Sequence, residues 1–227
     1  MKFKDKKVII FDFDGTLIDS EPDLAVAINH MLRQLNRETY TQEIISHWVG
    51  NGAEILVKRA LSGNSKIDET IDNDFFKNAL DIFLKFYAQN LCVKTYLYPN
   101  VKEVLIRLKD AGFIMVIVTN KPANFVAPIL KGLGIDELFE FYLGGDSLER
   151  KKPDPMPLIH VCKELNITVD ACVMIGDSKN DILSANRANM QSVGVSYGYN
   201  YGEDIRTYNP TAVVDRFEDI LPFFIED

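Results

Sequence analysis

Cysteine and histidine are scarce in this sequence. Its 227 residues include three cysteines, Cys92, Cys162 and Cys172, which form no CxxC pair and leave an odd thiol. This usage favours a reduced, cytoplasmic protein in which all three cysteines are buried packing residues. The three histidines stand far apart in the sequence, so we expect packing or surface roles for them rather than zinc binding.

A membrane-spanning run and an excess of positive charge are also missing. A span needs about 20 apolar residues, whereas the first apolar run, 8–11, is interrupted at once by Asp12. We therefore expect neither a signal peptide nor a membrane partner. The 25 lysines and arginines face 33 acidic residues, a formal net charge of −8, which argues against a nucleic-acid partner. A phosphorylated small molecule is compatible with this charge, because local cations and a metal can reverse the field inside one cleft.

Short apolar runs alternate with helical patterns along most of the chain. The predicted strands cover 8–11, 114–118, 172–175 and 192–195, with 211–214 as a further or edge strand. Helical spacing of apolar residues predicts helices over 101–109, 155–165 and 180–188. This alternation indicates an α/β fold with a Rossmann-like core built on a parallel sheet. We expect a monomer or a small homo-oligomer.

Residues 18–92 interrupt the alternation. Apolar residues recur there at helical spacing, and no strand-like run appears. We therefore predict an all-helical cap domain, 18–92, inserted into a core made of 1–17 and 93–227. In the helix predicted after Pro122, Pro128 is expected to end or kink the helix early.

Two carboxylates stand two residues apart where the first predicted strand ends. In the segment Asp12-Phe13-Asp14-Gly15-Thr16, the period of an extended chain points both aspartates to the same side. Ligands of parallel α/β sheets bind outside the carboxyl ends of strands, where this pair falls. Close carboxylates resist joint ionisation without a cation, and an oxygen-rich site suits Mg²⁺ better than zinc. Taken alone, the segment also fits a plain turn with Gly15 at positive φ.

A second acidic cluster follows the apolar run 172–175. Asp177 leaves the predicted strand, and Asp181 comes four residues later, so both carboxylates can face one direction on the first helical turn. A capped helix start is the structural alternative for either residue. Two acidic clusters at the carboxyl ends of strands favour a shared site.

Two further segments follow predicted strands. Thr119 and Asn120 precede a helix started by Pro122, and a hydroxyl with exposed amides at such a point can hold a phosphate. Lys152, which precedes Pro153, offers a cation for a phosphoryl group and a nucleophilic carboxylate. A plain capped turn and a solvated surface lysine are the respective alternatives.

Together these segments resemble the haloacid dehalogenase superfamily of phosphatases. The resemblance rests on four motifs in order and spacing: DxDGT at 12–16, the strand-ending Thr119, Lys152 before Pro153, and GDxxxD at 176–181. They span almost the whole chain, and no motif position departs from the family pattern. Lys151 is the rival of Lys152, and we choose Lys152 because Pro153 follows it. The helical block 18–92 is similar to the cap that this family places after its first motif.

The resemblance implies a phosphatase that hydrolyses a small phosphate monoester. Asp12 is then expected to be the nucleophile that carries a transient aspartyl-phosphate, with Asp14 as acid and base. Thr119, Asn120 and Lys152 are expected to bind the phosphoryl oxygens and to stabilise their charge.

The resemblance also implies Mg²⁺ as the cofactor. Its expected ligands are the Asp12 carboxylate, the Asp14 backbone carbonyl and Asp177. The residues expected to support these groups are Asp181, Thr16 and Ser178. The residues expected to read the substrate from the cap are Gly50, Asn51 and Gly52, in a segment similar to the cap loop of one branch of the superfamily. Residues 197–203 are similar to the same branch, without an assignable chemistry.

Three other activities share parts of this pattern. A phosphosugar mutase would use the same nucleophile and acid/base pair but return the phosphoryl group to its substrate. A dehalogenase is disfavoured because Asp14, which protonates a leaving group, would have no role in it. A phospho-accepting receiver module also combines clustered aspartates, a threonine, a lysine and Mg²⁺, but it is about half this length and has no helical insertion.

Overall fold

The computed structural model describes residue 3 and residues 5–225. Its main sheet contains six strands, all paired in parallel. In chain order these are β1 (Val8–Phe11), β4 (Ile114–Val118), β5 (Phe141–Leu143), β6 (Cys172–Gly176), β7 (Gln191–Val195) and β8 (Ala212–Val214). A two-stranded antiparallel ribbon joins β2 (Ile18–Asp19) to β3 (Tyr96–Leu97).

The helices of the described part of the chain fall into two groups. The first group follows β2 and comprises α1 (Glu21–Gln34), α2 (Gln42–Ser46), α3 (Ala53–Ser62) and α4 (Asn73–Gln89). The second group precedes or follows the later sheet strands and comprises α5 (Val101–Asp110), α6 (Ala123–Leu133), α7 (Met156–Glu164), α8 (Lys179–Arg187) and α9 (Leu221–Phe224). We call α1–α4 the helical insertion, because they lie between the first two sheet strands in the chain.

The sheet order places the central strand at a reversal of the chain path. The order is β5-β4-β1-β6-β7-β8, so the chain builds outward from β1 to one edge and then returns to build the other side. The strands on either side of β1 are in register with it, as Val8 pairs with both Ile114 and Cys172. Such an order leaves a crevice between β1 and β6 at their carboxyl ends, where ligands of doubly wound sheets bind.

Both faces of β1 are covered, which explains its uninterrupted apolar sequence. Ile9 and Phe11 contribute to the larger core cluster, together with α1, α5 and α6, whereas Val8 and Ile10 pack in a second cluster with α7. A strand buried on both faces reads as a continuous apolar run rather than an alternating one. The predicted α/β fold with a parallel sheet is confirmed, and so are the strand and helix positions to within one or two residues.

The two short strands β2 and β3 were not predicted from the sequence. Each has only two residues, too few for an alternating pattern to be recognised. Their pairing joins Ile18 to Leu97 and Asp19 to Tyr96. The ribbon therefore joins the segment that leads into the helical insertion to the segment that follows the insertion.

The expectation for Pro128 was wrong. Helix α6 runs through Pro128 and continues to Leu133. Pro128 cannot donate to the carbonyl of Asn124, but both residues are exposed, so water can satisfy that carbonyl. The cost of the missing hydrogen bond is therefore small enough for the apolar face of α6 to stay helical.

One cysteine also departs from expectation. Cys162 and Cys172 are buried, whereas Cys92 is only partly buried, because it lies in a surface turn just after α4. The histidines have the ordinary roles expected of them: His30 stacks on Phe86 with ring centroids 4.0 Å apart, and His160 lies near Glu164 at a helix surface. Within residues 5–225, no helix combines the length and the apolar character needed to cross a membrane.

Candidate active site

The acidic residues predicted at the strand ends meet in one buried cluster. Carboxylate oxygens of Asp12, Asp177 and Asp181 all lie within 4.8 Å of one another. Asp12 follows β1, and its backbone N–H donates to the Ile175 carbonyl of β6 at 2.9 Å. The cluster thus occupies the crevice between β1 and β6.

Burial makes Asp12 and Asp177 hold their protons more tightly than exposed carboxylates do. Burial and the neighbouring Asp181 carboxylate raise the pKa of Asp12, and Lys152 opposes this only in part. The same two causes raise the pKa of Asp177 to about 7. Like charges in a low dielectric resist joint ionisation, so the cluster favours a bound cation.

Asp177 is held by two donors, one on each side of the crevice. Its Oδ1 accepts a hydrogen bond of 2.7 Å from Thr16 Oγ1, and its Oδ2 accepts one of 2.7 Å from the Tyr199 backbone N–H. These contacts fix the carboxylate beside Asp12. Thr16, predicted as a supporting residue, lies next to the residue that it was expected to orient.

Asp181 is surrounded by protein donors. Its Oδ2 accepts from the Ser178 backbone N–H at 3.0 Å and from Ser178 Oγ at 2.8 Å, which caps the start of α8. Its Oδ1 lies 2.6 Å from Lys152 Nζ. Within the cluster, Asp181 is thus the carboxylate that contacts both Lys152 and Ser178.

Lys152 carries the buried ammonium of the cluster. Its Nζ lies 2.9 Å from Asp12 Oδ1 and 2.6 Å from Asp181 Oδ1, and it also donates to the Val118 carbonyl. Burial alone would lower the pKa of Lys152, but the Asp12 and Asp181 carboxylates outweigh it and raise the pKa. Lys151, the rival residue, instead donates to the Asn51 carbonyl at 3.0 Å. Of the two lysines, Lys152 is the one that touches the acidic cluster.

The segment after β4 lies on the other side of Asp12. The Thr119 side chain is buried, and its Oγ1 accepts from the Lys121 backbone N–H at 3.1 Å. Asn120 donates through Nδ2 to the Lys152 carbonyl at 3.0 Å and to the Gly50 carbonyl at 3.3 Å. The segment thus joins the acidic cluster to the loop 50–52 of the helical insertion.

Sequence reasoning missed a second buried lysine. Lys121 Nζ lies 2.9 Å from Asp14 Oδ1 and 2.7 Å from Tyr87 Oη, and Ser20 Oγ also donates to Asp14. The available signal was the position of Lys121 just after Thr119, at a strand end and before a helix. A single lysine there gives no pattern without its partners Asp14 and Tyr87, which are distant in sequence.

The loop 50–52 packs directly on the sheet side of the site. The Gly50 carbonyl accepts from Asn180 Nδ2 at 3.1 Å as well as from Asn120. Asn51 Oδ1 accepts a hydrogen bond of 2.8 Å from Tyr201 Oη. The loop contacts these residues through its backbone and Asn51, so the structure brings the loop 50–52 against the segments that follow β4 and β6.

The tyrosine-rich segment 197–203 joins three parts of the site, a role that the sequence did not indicate. Tyr197 Oη donates to the Thr16 carbonyl at 2.8 Å, and Tyr199 holds Asp177 through its backbone. Tyr199 Oη accepts from the backbone N–H groups of Ser20 and Glu21 at the start of α1. The segment therefore connects the Asp177 carboxylate with the beginning of the helical insertion.

A cavity of about 40 Å³ lies between the helical insertion and the sheet. Its polar lining residues are Asp12, Asp14, Thr119, Asn120 and Lys121, and its apolar ones include Leu24, Val49, Leu56, Phe83 and Phe125. Such a volume holds roughly three water molecules. The enclosed space therefore suits a small ligand with at least one anionic end.

The residues present fit a divalent cation of the hard, oxygen-binding type. Asp12, Asp177 and Asp181 supply carboxylate oxygens, whereas Lys152 is the buried ammonium beside them. Three carboxylates against one ammonium leave negative charge that a divalent cation would balance. Asp181 Oδ1 lies on the Lys152 ammonium, whereas both donors to Asp177 are neutral groups, so Asp177 is the better placed ligand of these two.

The chain belongs to the haloacid dehalogenase-like hydrolase family, whose profile matches residues 9–195. The superfamily predicted from the four motifs is therefore confirmed. The chain is 56% identical to the phosphoglycolate phosphatase of Colwellia psychrerythraea over 221 aligned residues. The alignment covers 97% of this chain and 98% of the relative. The phosphoglycolate phosphatase of Psychrobacter arcticus is 49% identical, over 98% of this chain and 97% of the relative.

Solved structures agree with this membership over nearly the whole chain. A predicted phosphoglycolate phosphatase from Haemophilus somnus superposes with a TM-score of 0.90 at 40% identity, covering 96% of this chain and 98% of that one. A putative phosphoglycolate phosphatase from Lactobacillus delbrueckii superposes with a TM-score of 0.88 at 30% identity, over the full length of both chains. The sheet and the helical insertion are thus both shared with these proteins.

Proposed function

We propose that this protein is a phosphatase that hydrolyses 2-phosphoglycolate to glycolate and phosphate. The observation that carries the proposal is the contact of 2.9 Å between Asp12 and the buried Lys152, at the point where Asp12 faces Asp177 in the crevice. The substrate is supported by the relatives at 49–56% identity, which are phosphoglycolate phosphatases. Both polar and apolar side chains line the cavity beside Asp12.

In the first step, an Asp12 carboxylate oxygen attacks phosphorus, and the bond to the ester oxygen breaks. The product is an aspartyl-phosphate, so one difficult displacement is divided into two easier ones. The Lys152 ammonium lies against Asp12 and can stabilise the oxygens of the transferring phosphoryl group. Thr119 and Asn120 line the same cavity and are proposed as phosphate-binding groups.

Asp14 is proposed to donate a proton to the departing alkoxide. It then takes a proton from the water that attacks the aspartyl-phosphate, which returns Asp12 to its starting state. Asp14 lies at the cavity wall, where Ser20 Oγ and Lys121 Nζ hold its carboxylate. These contacts keep the proton-transfer group in one orientation.

Mg²⁺ is proposed as the cofactor. The Asp12 and Asp177 carboxylates and the Asp14 backbone carbonyl would hold it, and Thr16, Ser178 and Asp181 would keep these groups in place. When bound, such an ion neutralises charge on phosphoryl oxygens. Lys152 and the Thr119 segment supply the remaining charge stabilisation from the protein itself.

The helical insertion is proposed to act as a cap over the site. We place the domain boundaries at 1–17, 18–92 and 93–227, as predicted, with the ribbon β2–β3 at the crossing. The cap is supported by its contacts with the sheet side of the site: Gly50 with Asn120 and Asn180, and Tyr87 with Lys121. Closure of these contacts would exclude bulk water from the reacting atoms.

We also propose a cytoplasmic location, in line with the free cysteines.

The test is the specificity constant, kcat/KM, for 2-phosphoglycolate against phosphosugars and nucleotides, with Mg²⁺ present. The proposal predicts repeated turnover and a preference for 2-phosphoglycolate. Equal turnover of several unrelated esters would refute 2-phosphoglycolate as the specific substrate. The assignment of a phosphatase reaction would still stand. Return of the phosphoryl group to a phosphosugar would indicate a mutase, and a single stoichiometric phosphorylation without phosphate release would indicate a receiver module.

A further inference from the structure

Lys121 and Tyr87 form a buried pair at the cavity, beyond the acidic cluster. Lys121 belongs to the segment after β4, and Tyr87 lies on α4 of the helical insertion. Their side-chain atoms Nζ and Oη are 2.7 Å apart, and the two residues are only 5% and 1% exposed. Tyr87 has no part in the chemistry described above, and Lys121 enters it only as a contact of Asp14.

We infer that Lys121 and Tyr87 bind the carboxylate of the substrate's leaving group. The inference deepens the proposed function and rests on it. In 2-phosphoglycolate, a single methylene separates the ester oxygen from the carboxylate carbon. A carboxylate must therefore lie within a few ångströms of the oxygen that Asp14 protonates, and Lys121 Nζ lies 2.9 Å from Asp14 Oδ1.

Lys121 and Tyr87 have more hydrogen-bond donors than their contacts within the protein use, so donors remain for such a carboxylate. A lysine ammonium has three N–H groups, and the acceptors of Lys121 among residues 5–225 are Asp14 and Tyr87. Tyr87 Oη accepts from Lys121, and among the described residues no acceptor contacts its own O–H. One ammonium N–H and one phenol O–H are thus left to donate to a ligand in the cavity.

Tyr87 keeps its proton at neutral pH, because burial raises its pKa to about 12. Its O–H group therefore remains a donor in the pH range where the enzyme would work.

The positions of the charges favour Lys121 over Lys152 as the partner of the carboxylate. Asp12 and Asp14 repel a carboxylate, and the Lys152 ammonium is already shared by Asp12 and Asp181. Among the described residues that line the cavity, Lys121 is the one cation. The apolar walls keep water away, so an ionic contact there is stronger than at the surface.

The experiment compares 2-phosphoglycolate with ethyl phosphate, in which a methyl group replaces the carboxylate. The measured quantity is the ratio of the two kcat/KM values, for the wild type, Lys121→Met and Tyr87→Phe. We expect Lys121→Met to lower the ratio roughly 10- to 100-fold, the usual loss for a hydrogen bond to a charged group. Tyr87→Phe keeps the ion pair between Lys121 and Asp14 and should lower the ratio by roughly fivefold to tenfold, mainly through KM.

Lys131→Met, an exposed lysine on α6, is the matched control and should leave the ratio at the wild-type value. If both variants lower the two kcat/KM values in equal proportion, Lys121 and Tyr87 only hold Asp14 and α4 in place, and the subsite is refuted. A wild type that does not prefer 2-phosphoglycolate over ethyl phosphate would instead refute the proposed substrate. The two failures are therefore distinguishable.

Discussion

Lys152 Nζ lies 2.6 Å from Asp181 Oδ1, and the two side chains are 1% and 0% exposed. The same ammonium lies 2.9 Å from Asp12. A buried charge of this kind is tolerated only while its partners remain, because removal of one partner leaves the other without compensation. The contact between Lys152 and Asp181 is thus important for the stability of the fold as well as for the site.

Lys152→Met should lower both stability and activity. The variant leaves Asp181 buried without its cation, and we expect a loss of about 3–5 kcal/mol in the free energy of unfolding. Denaturant titration measures this change, with Lys151→Met as the control, since Lys151 contacts the loop 50–52 instead. Equal losses for the two variants would contradict the assignment of Lys152 as the buried partner.

Asp12→Asn should abolish turnover while the protein stays folded. The side chain keeps nearly the same volume, but the amide is not a nucleophile, so we expect kcat to fall by roughly 10⁴-fold or more. Circular dichroism and a phosphate-release assay check the two halves of this prediction. Asp110→Asn, at the exposed end of α5, should behave as the wild type. Substantial turnover in Asp12→Asn would remove Asp12 as the nucleophile.

Mg²⁺ binding should strengthen as the pH rises towards about 7. The pKa of Asp177 is raised to about 7 by burial and by Asp181, and a carboxylate must lose its proton to bind a metal. The apparent affinity should therefore rise by at least about tenfold per pH unit below that value and level off above it. Calorimetric titration at several pH values measures this, and activity removed by a chelator should return with Mg²⁺.

The metal-free protein should show the opposite trend in stability. The folded-state pKa of Asp177 exceeds the unfolded value of about 3.9, so the folded state binds more protons between about pH 4 and 7. The contribution of Asp177 to stability is complete below its unfolded-state pKa. It is lost as the pH rises through its folded-state pKa. Thermal unfolding with a chelator present checks it, and Asp177→Asn should flatten the trend. An unchanged slope in Asp177→Asn would assign the titration to another group.

Gly50→Ala should impair catalysis more than stability. Gly50 has φ +113°, and a Cβ there would lie 2.4 Å from Tyr201 Oη, so the loop 50–52 would be pushed away from the site. Gly112 has φ +87° in open space, which makes Gly112→Ala the matched control for backbone strain. Both variants should lose about 1–2 kcal/mol of stability, but only Gly50→Ala should lower kcat/KM. Equal kcat/KM values would show that the loop does not shape the site.

The sheet and the acidic cluster were predictable because their signals are local. The strand β1 reads as an apolar run ending at Asp12, and the same pattern places Asp177 after β6. Since parallel strands end at one edge of a sheet, the sequence places both carboxylates at that edge. The pairing of β6 with β1, which the structure shows, brings them together.

Other parts of the site depend on contacts between segments that are far apart in the chain. The role of Lys121 depends on its contacts with Tyr87 and Asp14, which lie 34 and 107 positions away in the sequence. Tyr201 reaches Asn51 across 150 positions. No local spacing encodes such contacts, because they arise from how the helical insertion packs on the sheet.

The central place of β1 has a consequence for hydrogen exchange. Its residues Val8–Phe11 are fully buried and pair with a strand on each side, so their amides can exchange only when the whole sheet opens. Amides in the loop 50–52 and in the ribbon β2–β3 belong to smaller, more easily opened units. Asp12, the proposed nucleophile, thus directly follows the strand whose amides are expected to exchange most slowly.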